Sequence, residues 1–565
     1  MSQDNQSATL WRFFKQKEFR DWLNALVKQS VFVFSVFLFL TLFLYLPTIQ
    51  AGFVTDVTSG IERIQGQPFS NIIYSFGFPA LNQLSVLGFY LLYTIFGLNG
   101  LPWYLIFCSL HAFNAFLSYI IFSRLFQQYK IKRAASISLI GALLFLLSPY
   151  QTEVLVWRAC LNYLLVTAFI LLSLFSLIRY LETEKRTYHF GIHGCFLLAL
   201  FTFELSLVLP LLAISFYTSW LWLNKRPQYF SRYFIKISLP QFGLMTGYFL
   251  LNKWMVGRWI GHYGAATHLQ FSMTTMSNTL LKYGIKYLFF VRAYSHQYKV
   301  QIFSFCDKYA GIILCLIVAS CLLFSLYKKS INREKTAIYL LLGAAFILTL
   351  LPVLNLYFYS LQHIENDRYG YLASLFGLML LTFFLFQLPK FLRYILLTTY
   401  LTAAIFLLIQ TNQIWKESTD VFYSLLADYR WQDAENVVIL NVPDNYQGAY
   451  LFRIIGQKSG FQDALTYIHQ KKVKGKIWEV TQYNMARPTD GVTVLKNKPN
   501  QLKVTFNQWG NWFWRNGIGV GPTHQRSIYT AHFKGQYYLL DLKNPPANTV
   551  YIYQDGKEWK EVENK

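Results

Sequence analysis

The sequence predicts a mainly α fold: a polytopic transmembrane helical bundle followed by a C-terminal extracytoplasmic domain of α/β or β-rich character. Composition is the first indication. Of 565 residues, 54% are hydrophobic and 19% aromatic while only 14% are charged, against about 25% charged in an ordinary soluble domain. Spacing is the second. Eleven apolar runs fall at about 31–49, 102–125, 134–149, 162–180, 190–205, 207–223, 233–252, 309–327, 337–356, 370–388 and 393–411, most of them close to the roughly 20 residues that a crossing helix needs. These features exclude a purely soluble enzyme, and so rich an apolar content also excludes disorder.

Residues 1–30 read as a cytoplasmic N-terminal tail. The run at 31–49 is a retained anchor and not a signal peptide, because no small-residue cleavage site follows and ten further runs do. Charge then threads the chain. With the N-terminus inside, the short inner loops carry Lys130, Lys132 and Arg133; Lys185 and Arg186; Lys225, Arg226 and Arg232; Lys328, Lys329, Arg333 and Lys335; and Lys390 and Arg393. Every inner turn is basic, the positive-inside pattern. Of the net charge of +24, residues before 411 hold 32 basic and 13 acidic groups, or +19. That excess belongs to membrane topology and anionic headgroups, not to nucleic acid. An odd number of spans places the C-terminal segment outside.

The transmembrane domain, 31–411, carries two long outer loops, 50–101 and 253–308. The apolar patch Leu81 to Phe96, broken by Asn82, Gln83 and Ser85, reads as a helix lying at the interface, and Leu280–Arg292 as an amphipathic run. From 412 to 565 polar residues rise and short strands appear, as in Asn436–Val442, Gln536–Leu540 and Thr549–Tyr553, with a turn at Asn544-Pro-Pro-Ala-Asn548. The cysteines Cys108, Cys160, Cys195, Cys306, Cys315 and Cys321 form no CxxC pair, and none lies in the polar C-terminal stretch. Neither a zinc ribbon nor a disulfide scaffold is indicated.

The acidic residues assigned to the outer face are Asp56, Glu62, Glu153, Glu204, Asp307, Glu365 and Asp367. An ionisable group at membrane depth is costly, which makes it a candidate functional group. Glu204 lies where a helix reaches the outer boundary and turns back through Pro210; its plainer reading is a carboxylate paired with a neighbouring helix. Asp56 follows the first span at headgroup level, where partial desolvation favours a general base; its plainer reading is a helix-capping or loop aspartate. Arg158 and Arg368 sit at outer junctions and suit bidentate contact with phosphate, or simple interfacial anchoring. Lys282, Lys286 and Arg292 suit anionic headgroups.

Taken in order, these segments resemble a known family. The sequence is similar to the type-C integral-membrane glycosyltransferases that use polyprenyl-phosphate sugars, notably bacterial relatives of the protein O-mannosyltransferases and the transmembrane-and-tetratricopeptide O-mannosyltransferases. The resemblance rests on Gly52-Phe-Val-Thr-Asp56, His111 with Asn114, Pro149-Tyr-Gln-Thr-Glu153-Val154, Phe203-Glu204…Pro210, Asp367-Arg368-Tyr369-Gly-Tyr371 and Gly261-His-Tyr-Gly-Ala-Ala-Thr-His268. It covers about 31–412. Departures are Val57 where the family has a second acid, Phe78-Pro79-Ala80 where it has Arg-Pro-Leu, Asn162 where an acid is expected, and a tail without tetratricopeptide repeats.

The resemblance implies inverting sugar transfer at the outer face of the cytoplasmic (inner) membrane, from a polyprenyl-phosphate donor to a hydroxyl on a protein, glycan or lipid. Asp56 would be the general base, Arg368 and then Arg158 would bind the donor phosphate, and Glu153, Glu204 and His111 would shape the cavity. No cofactor is implied firmly, and a divalent metal is left open. The competing expectation is a non-catalytic assembly or lipid-carrier-binding protein on the same scaffold, favoured by the missing second acid. A secondary transporter would show paired halves with broken helices, which the sequence lacks.

Overall fold

The computed structural model describes residues 30–74, 81–259, 272–327, 332–354, 366–453, 460–507, 512–513, 522–543 and 548–562. The N-terminal tail, the segments 78–80 and 261–268, Glu365 and most of the 544–548 turn lie outside the described residues.

Among the described residues, eight helices are long and apolar enough to cross a membrane: Ser30–Thr48, Gly100–Gln128, Arg158–Thr183, Glu204–Leu223, Pro227–Val256, Arg333–Val353, Asp367–Leu385 and Lys390–Asp428. The bent pair Ala134–Leu146 and Pro149–Val156, broken by 53°, brings the count to nine. The two other expected spans are helical without passing that test: 190–205 corresponds to the 15-residue helix Arg186–Leu200, and 309–327 lies within His296–Tyr327. Phe39, Phe43, Leu250, Trp254 and Phe406 remain exposed on outward faces, as they do where the surrounding medium is itself apolar.

Helix 100–128 packs against Ser30–Tyr45, Ala134–Leu146 and Leu161–Thr183, while Tyr371–Leu385 returns to pack on Ala134–Leu146 and closes the bundle. The loops assigned to the inner face meet one another. Gln128 donates to Glu182 at 2.5 Å, Arg232 pairs with Glu184 at 2.7 Å, and Arg333 donates to the carbonyl of Trp222. At the other end, the apolar patch forms the expected helix Gln83–Phe96. It is pinned to the 201–203 turn by Leu84 N–H donating to the Phe201 carbonyl at 2.9 Å and the Ser85 hydroxyl to that of Thr202 at 2.6 Å.

The expected boundary at 411 is not a break. Lys390–Asp428 is one helix of 39 residues, about 58 Å at 1.5 Å per residue. It contains neither Gly nor Pro, so nothing stops it where hydropathy falls. Its far end carries the strand-rich domain. Trp559 donates its backbone N–H to Asp428 at 2.6 Å and its indole N–H to the Leu425 carbonyl at 2.8 Å.

Among the described residues that domain has three sheets. β1 (Asn436–Ile439) runs parallel to β4 (Lys476–Glu479) and β12 (Thr549–Asp555), with β13 (Glu558–Glu561) antiparallel at the edge. β2 (Val442–Tyr446) pairs with β3 (Ala449–Tyr450) and β5 (Gln482–Met485), which also pairs with β8 (Trp512–Phe513). β6 (Val492–Lys498), β7 (Gln501–Phe506), β11 (Tyr537–Leu542), β10 (Tyr529–Lys534) and β9 (Thr523–Gln525) form an antiparallel sheet. The run 436–442, expected as one strand, is divided between two sheets because Asn441 turns aside to bond Gln554 at 2.9 and 3.0 Å. The β2–β3 hairpin turns through Gln447 and Gly448, both at positive φ (50° and 95°), the backbone that two-residue hairpins favour.

Gly52 is where the outer loop joins the bundle. Its φ is +90°, and an added Cβ would lie 1.8 Å from the Val156 carbonyl oxygen. Gly52→Ala should therefore lose about 2–4 kcal/mol through backbone strain and overpacking, read as a lower melting temperature in detergent. An unchanged melting temperature would show that the loop can detach from Val156 without cost.

Candidate active-site cleft

The site begins with how the chain leaves its first helix. Residues 52–54 are stitched to 156–158: Arg158 donates its backbone N–H to the Gly52 carbonyl at 3.1 Å, and the Trp157 indole donates to that of Val54 at 3.2 Å. Thr55 then takes a positive φ of 51°, and Asp56 opens the helix Asp56–Ile64. A carboxylate in a first helical turn is favoured by the exposed N–H groups there. The stitch therefore sets Asp56 beside Trp157–Asn162.

Asp56 lines a cleft of about 600 Å³ together with Trp157, Asn162, Tyr163, Glu204 and Arg368. A second compartment of about 730 Å³ adjoins it, sharing Asp56, Asn82 and Asn162, and is more apolar, with Ile64, Val86, Phe89 and Leu161 on its walls. Asp56 thus stands between a polar and an apolar chamber.

Glu153 lies behind the polar chamber, with no exposed surface. It accepts from the backbone N–H groups of Asn366 at 3.3 Å and Arg368 at 2.7 Å, from Nη1 of Arg368, and from the Tyr450 hydroxyl at 3.2 Å. Arg368 donates further to the hydroxyls of Tyr450 and Tyr369, each at 3.0 Å. Its guanidinium lies 5.0 Å from the Trp157 ring centre and 4.5 Å from that of Tyr369. Stacking between rings and pairing with a carboxylate fixes its orientation.

The expected residues do not all converge. Asp56, Glu204 and Arg368 share the cleft, and Glu153 supports it. Arg158 is not in it: its guanidinium donates to the carbonyls of Leu155 at 3.0 Å and of Thr48 and Ile49, both at 3.2 Å, and so secures the end of the first helix. His111 is also elsewhere, buried between Tyr371, whose hydroxyl is 2.7 Å from Nδ1, and the Leu146 carbonyl, 3.2 Å from Nε2. Both residues are interior ties. Lys286 and Arg292 do not face headgroups either. They close on the buried Asp367 carboxylate, and Lys282 pairs with Asp307 at 2.5 Å.

Protein-family models and curated proteins give no match to this chain. The cleft is therefore read from its own chemistry. Among the described residues, no three His, Cys, Asp or Glu side chains gather as they do around a metal ion.

Tyr450 is the functional neighbour that sequence reasoning missed, since one tyrosine among 40, on the far side of a 39-residue helix, carries no local signal. Tyr248, midway along the helix Leu239–Val256, was missed for the same reason and also lines the cleft.

Asp56 keeps partial contact with solvent, but burial of its surroundings pushes its carboxyl pKa up, opposed by Arg368, Arg63 and Arg453. The native state then holds a proton that the unfolded chain has already released, and stability falls as pH rises through that window. Asp56→Asn should melt higher than wild type at neutral pH. The gap should close on acidification towards about pH 4, where the unfolded chain also protonates. A gap independent of pH would disprove the raised pKa.

Replacing Glu153 by Gln leaves Arg368 without its counter-charge in a largely dry site, at a cost of about 3–5 kcal/mol. Thermal melting in detergent measures it, and full retention of stability would mean that the pair is not buried as described.

Proposed function

We propose that this chain is a membrane glycosyltransferase that moves a sugar from a polyprenyl-phosphate donor to an acceptor hydroxyl, with inversion, on the extracytoplasmic side of the cytoplasmic membrane. The observation carrying this reading is the shared cleft: one half-buried carboxylate with a raised pKa, Asp56, and one stacked, oriented guanidinium, Arg368, line the same chamber.

In the proposed reaction the acceptor hydroxyl gives its proton to Asp56 as its oxygen bonds to the anomeric carbon. The bond from that carbon to the phosphate oxygen breaks, and its electron pair stays on the phosphate. Arg368 stabilises charge that grows only in the transition state, the interaction that raises a rate. A carboxylate with a raised pKa is the better base for a hydroxyl near neutral pH. Glu204 borders the space where the sugar hydroxyls would sit.

The proposed threading puts the N-terminus inside and the strand-rich domain outside, with all eleven apolar segments crossing. It is supported by the sorting of the loops: the basic turns meet at one end, while Asp56, Arg368 and Tyr450 meet at the other.

A second reading, binding of the lipid carrier without transfer, is favoured by one observation. Val57, at the position of the family's second acid, is buried in the core, so the helix offers the cleft a single carboxylate. Purified protein in lipid, given radiolabelled polyprenyl-phosphate sugar and membrane extract, separates the two. Transfer by wild type should fall about 10²–10⁴-fold in Asp56→Asn with expression intact. Full transfer by the variant would remove Asp56 as base, and donor binding with no transfer by wild type would favour the second reading.

A further inference from the structure

We infer that the strand-rich domain completes the anion site of the cleft, with Tyr450 as a positioning residue for Arg368, so that phosphate binding and docking of this domain are coupled. The inference rests on reading the cleft as a phosphate-ester site, and it does not require that transfer take place.

The geometry is a closed ring of three side chains. Tyr450 donates its hydroxyl hydrogen to Oε1 of Glu153 at 3.2 Å and accepts from Nη1 of Arg368 at 3.0 Å, while Nη1 also bonds Oε1 directly. Nη1 is thereby committed to these two oxygens, and Nη2 to the Tyr369 hydroxyl. The guanidinium is held in one rotation and offers its remaining N–H groups in a fixed direction, as bidentate recognition of a phosphate requires. Without the Tyr450 hydroxyl, Nη1 and Oε1 each lose a partner in a pocket where water competes poorly, and the fork is free to turn.

Tyr450 reaches this ring because the β2–β3 hairpin is fastened to the helix that leaves the bundle. Ser418 donates to the Tyr450 carbonyl at 3.0 Å, Tyr446 donates to Glu417 at 2.6 Å, and Phe422 stacks on Phe452 at 4.8 Å. The Tyr450 ring sits 4.7 Å from that of Trp157 and 4.7 Å from the Arg453 guanidinium. The helix Gly460–Tyr467 also packs on Asp56–Ile64. Docking and the arginine's orientation thus share the same atoms. A ligand that prefers the oriented arginine must strengthen docking by the factor that docking strengthens its binding, since coupling is reciprocal.

The test uses the full chain in nanodiscs, with polyprenyl phosphate as probe and inorganic phosphate as competitor. Tyr450→Phe keeps the ring on Trp157 and removes only the hydroxyl. It should raise the Kd for polyprenyl phosphate about tenfold. Tyr446→Phe removes a tie between hairpin and helix without touching the cleft, so it should raise Kd only by what weaker docking passes on, well below the effect of Tyr450→Phe. Polyprenyl phosphate should slow hydrogen exchange across residues 442–450 in wild type and in Tyr446→Phe, but much less in Tyr450→Phe. Competition by inorganic phosphate alone would assign recognition to the phosphate group, and its failure would mean that the prenyl chain is also read.

Equal Kd values for wild type and Tyr450→Phe, or equal loss in both variants, would overturn the inference while leaving the transferase reading standing. Binding that depends on Tyr450 without any transfer by wild type would overturn the transferase reading and leave the inference standing. No binding by wild type would overturn both.

Discussion

The carboxylate of Glu153 is where three distant parts of the chain are tied together. It sits on the short helix Thr152–Val156, receives two backbone N–H groups and a guanidinium from 366–368, and takes a hydroxyl from strand β3. A fully buried carboxylate is tolerated only when its oxygens are satisfied, so each of these partners is required where it is. That requirement fixes the entry of helix Tyr371–Leu385, the pose of Arg368 and the seat of the strand-rich domain.

Asp56 depends on this joint at one remove. The stitch of 52–54 onto 156–158 attaches the outer loop to the chain immediately after Glu153, and Arg158 locks the end of the first helix from the same segment. Arg158 and His111 matter to the site through position alone. Each saturates buried carbonyls or hydroxyls inside the bundle, where an unpaired polar group would be expensive.

The bundle was readable from the sequence because long apolar runs separated by short basic turns are a local signal of packed apolar helices, and the side chains carry it residue by residue. Among the described residues all eleven apolar runs are mostly helical, and the basic loops that the charge pattern groups together meet one another. The helix that begins at 390 runs on past 411 because hydropathy reports the medium around a helix, not the end of the helix, and 390–428 has no breaker. The convergence of Asp56, Glu204 and Arg368 followed from placing each acid and base at a helix mouth on one face. What could not be read was which arginine faces inward and which faces the cleft. Arg158 and Arg368 both sit beside aromatic residues at outer junctions, and only tertiary contacts separate a guanidinium used on carbonyls from one aimed at a chamber. Tyr450 was invisible for a related reason: its partner is 297 residues away.

Charge balance explains why orientation counts for more here than attraction. Arg368 is neutralised by Glu153, and the chamber also holds Asp56 and Glu204, so net charge alone would not draw a phosphate in. Two contributions offset this. Two basic side chains, Lys286 and Arg292, gather on the one carboxylate of Asp367, next to Arg368 in the chain, and charge in a dry interior is weakly screened. At the chamber wall, Glu153, Tyr450 and Tyr369 hold the Arg368 guanidinium in one orientation, and a directed donor is strongest where water is excluded. A phosphate arriving from solution gains little from such a site. Under the proposed transferase reading, a phosphate held at the cleft by its lipid would meet the directed donors already in place, the discrimination that a lipid-carried donor would need.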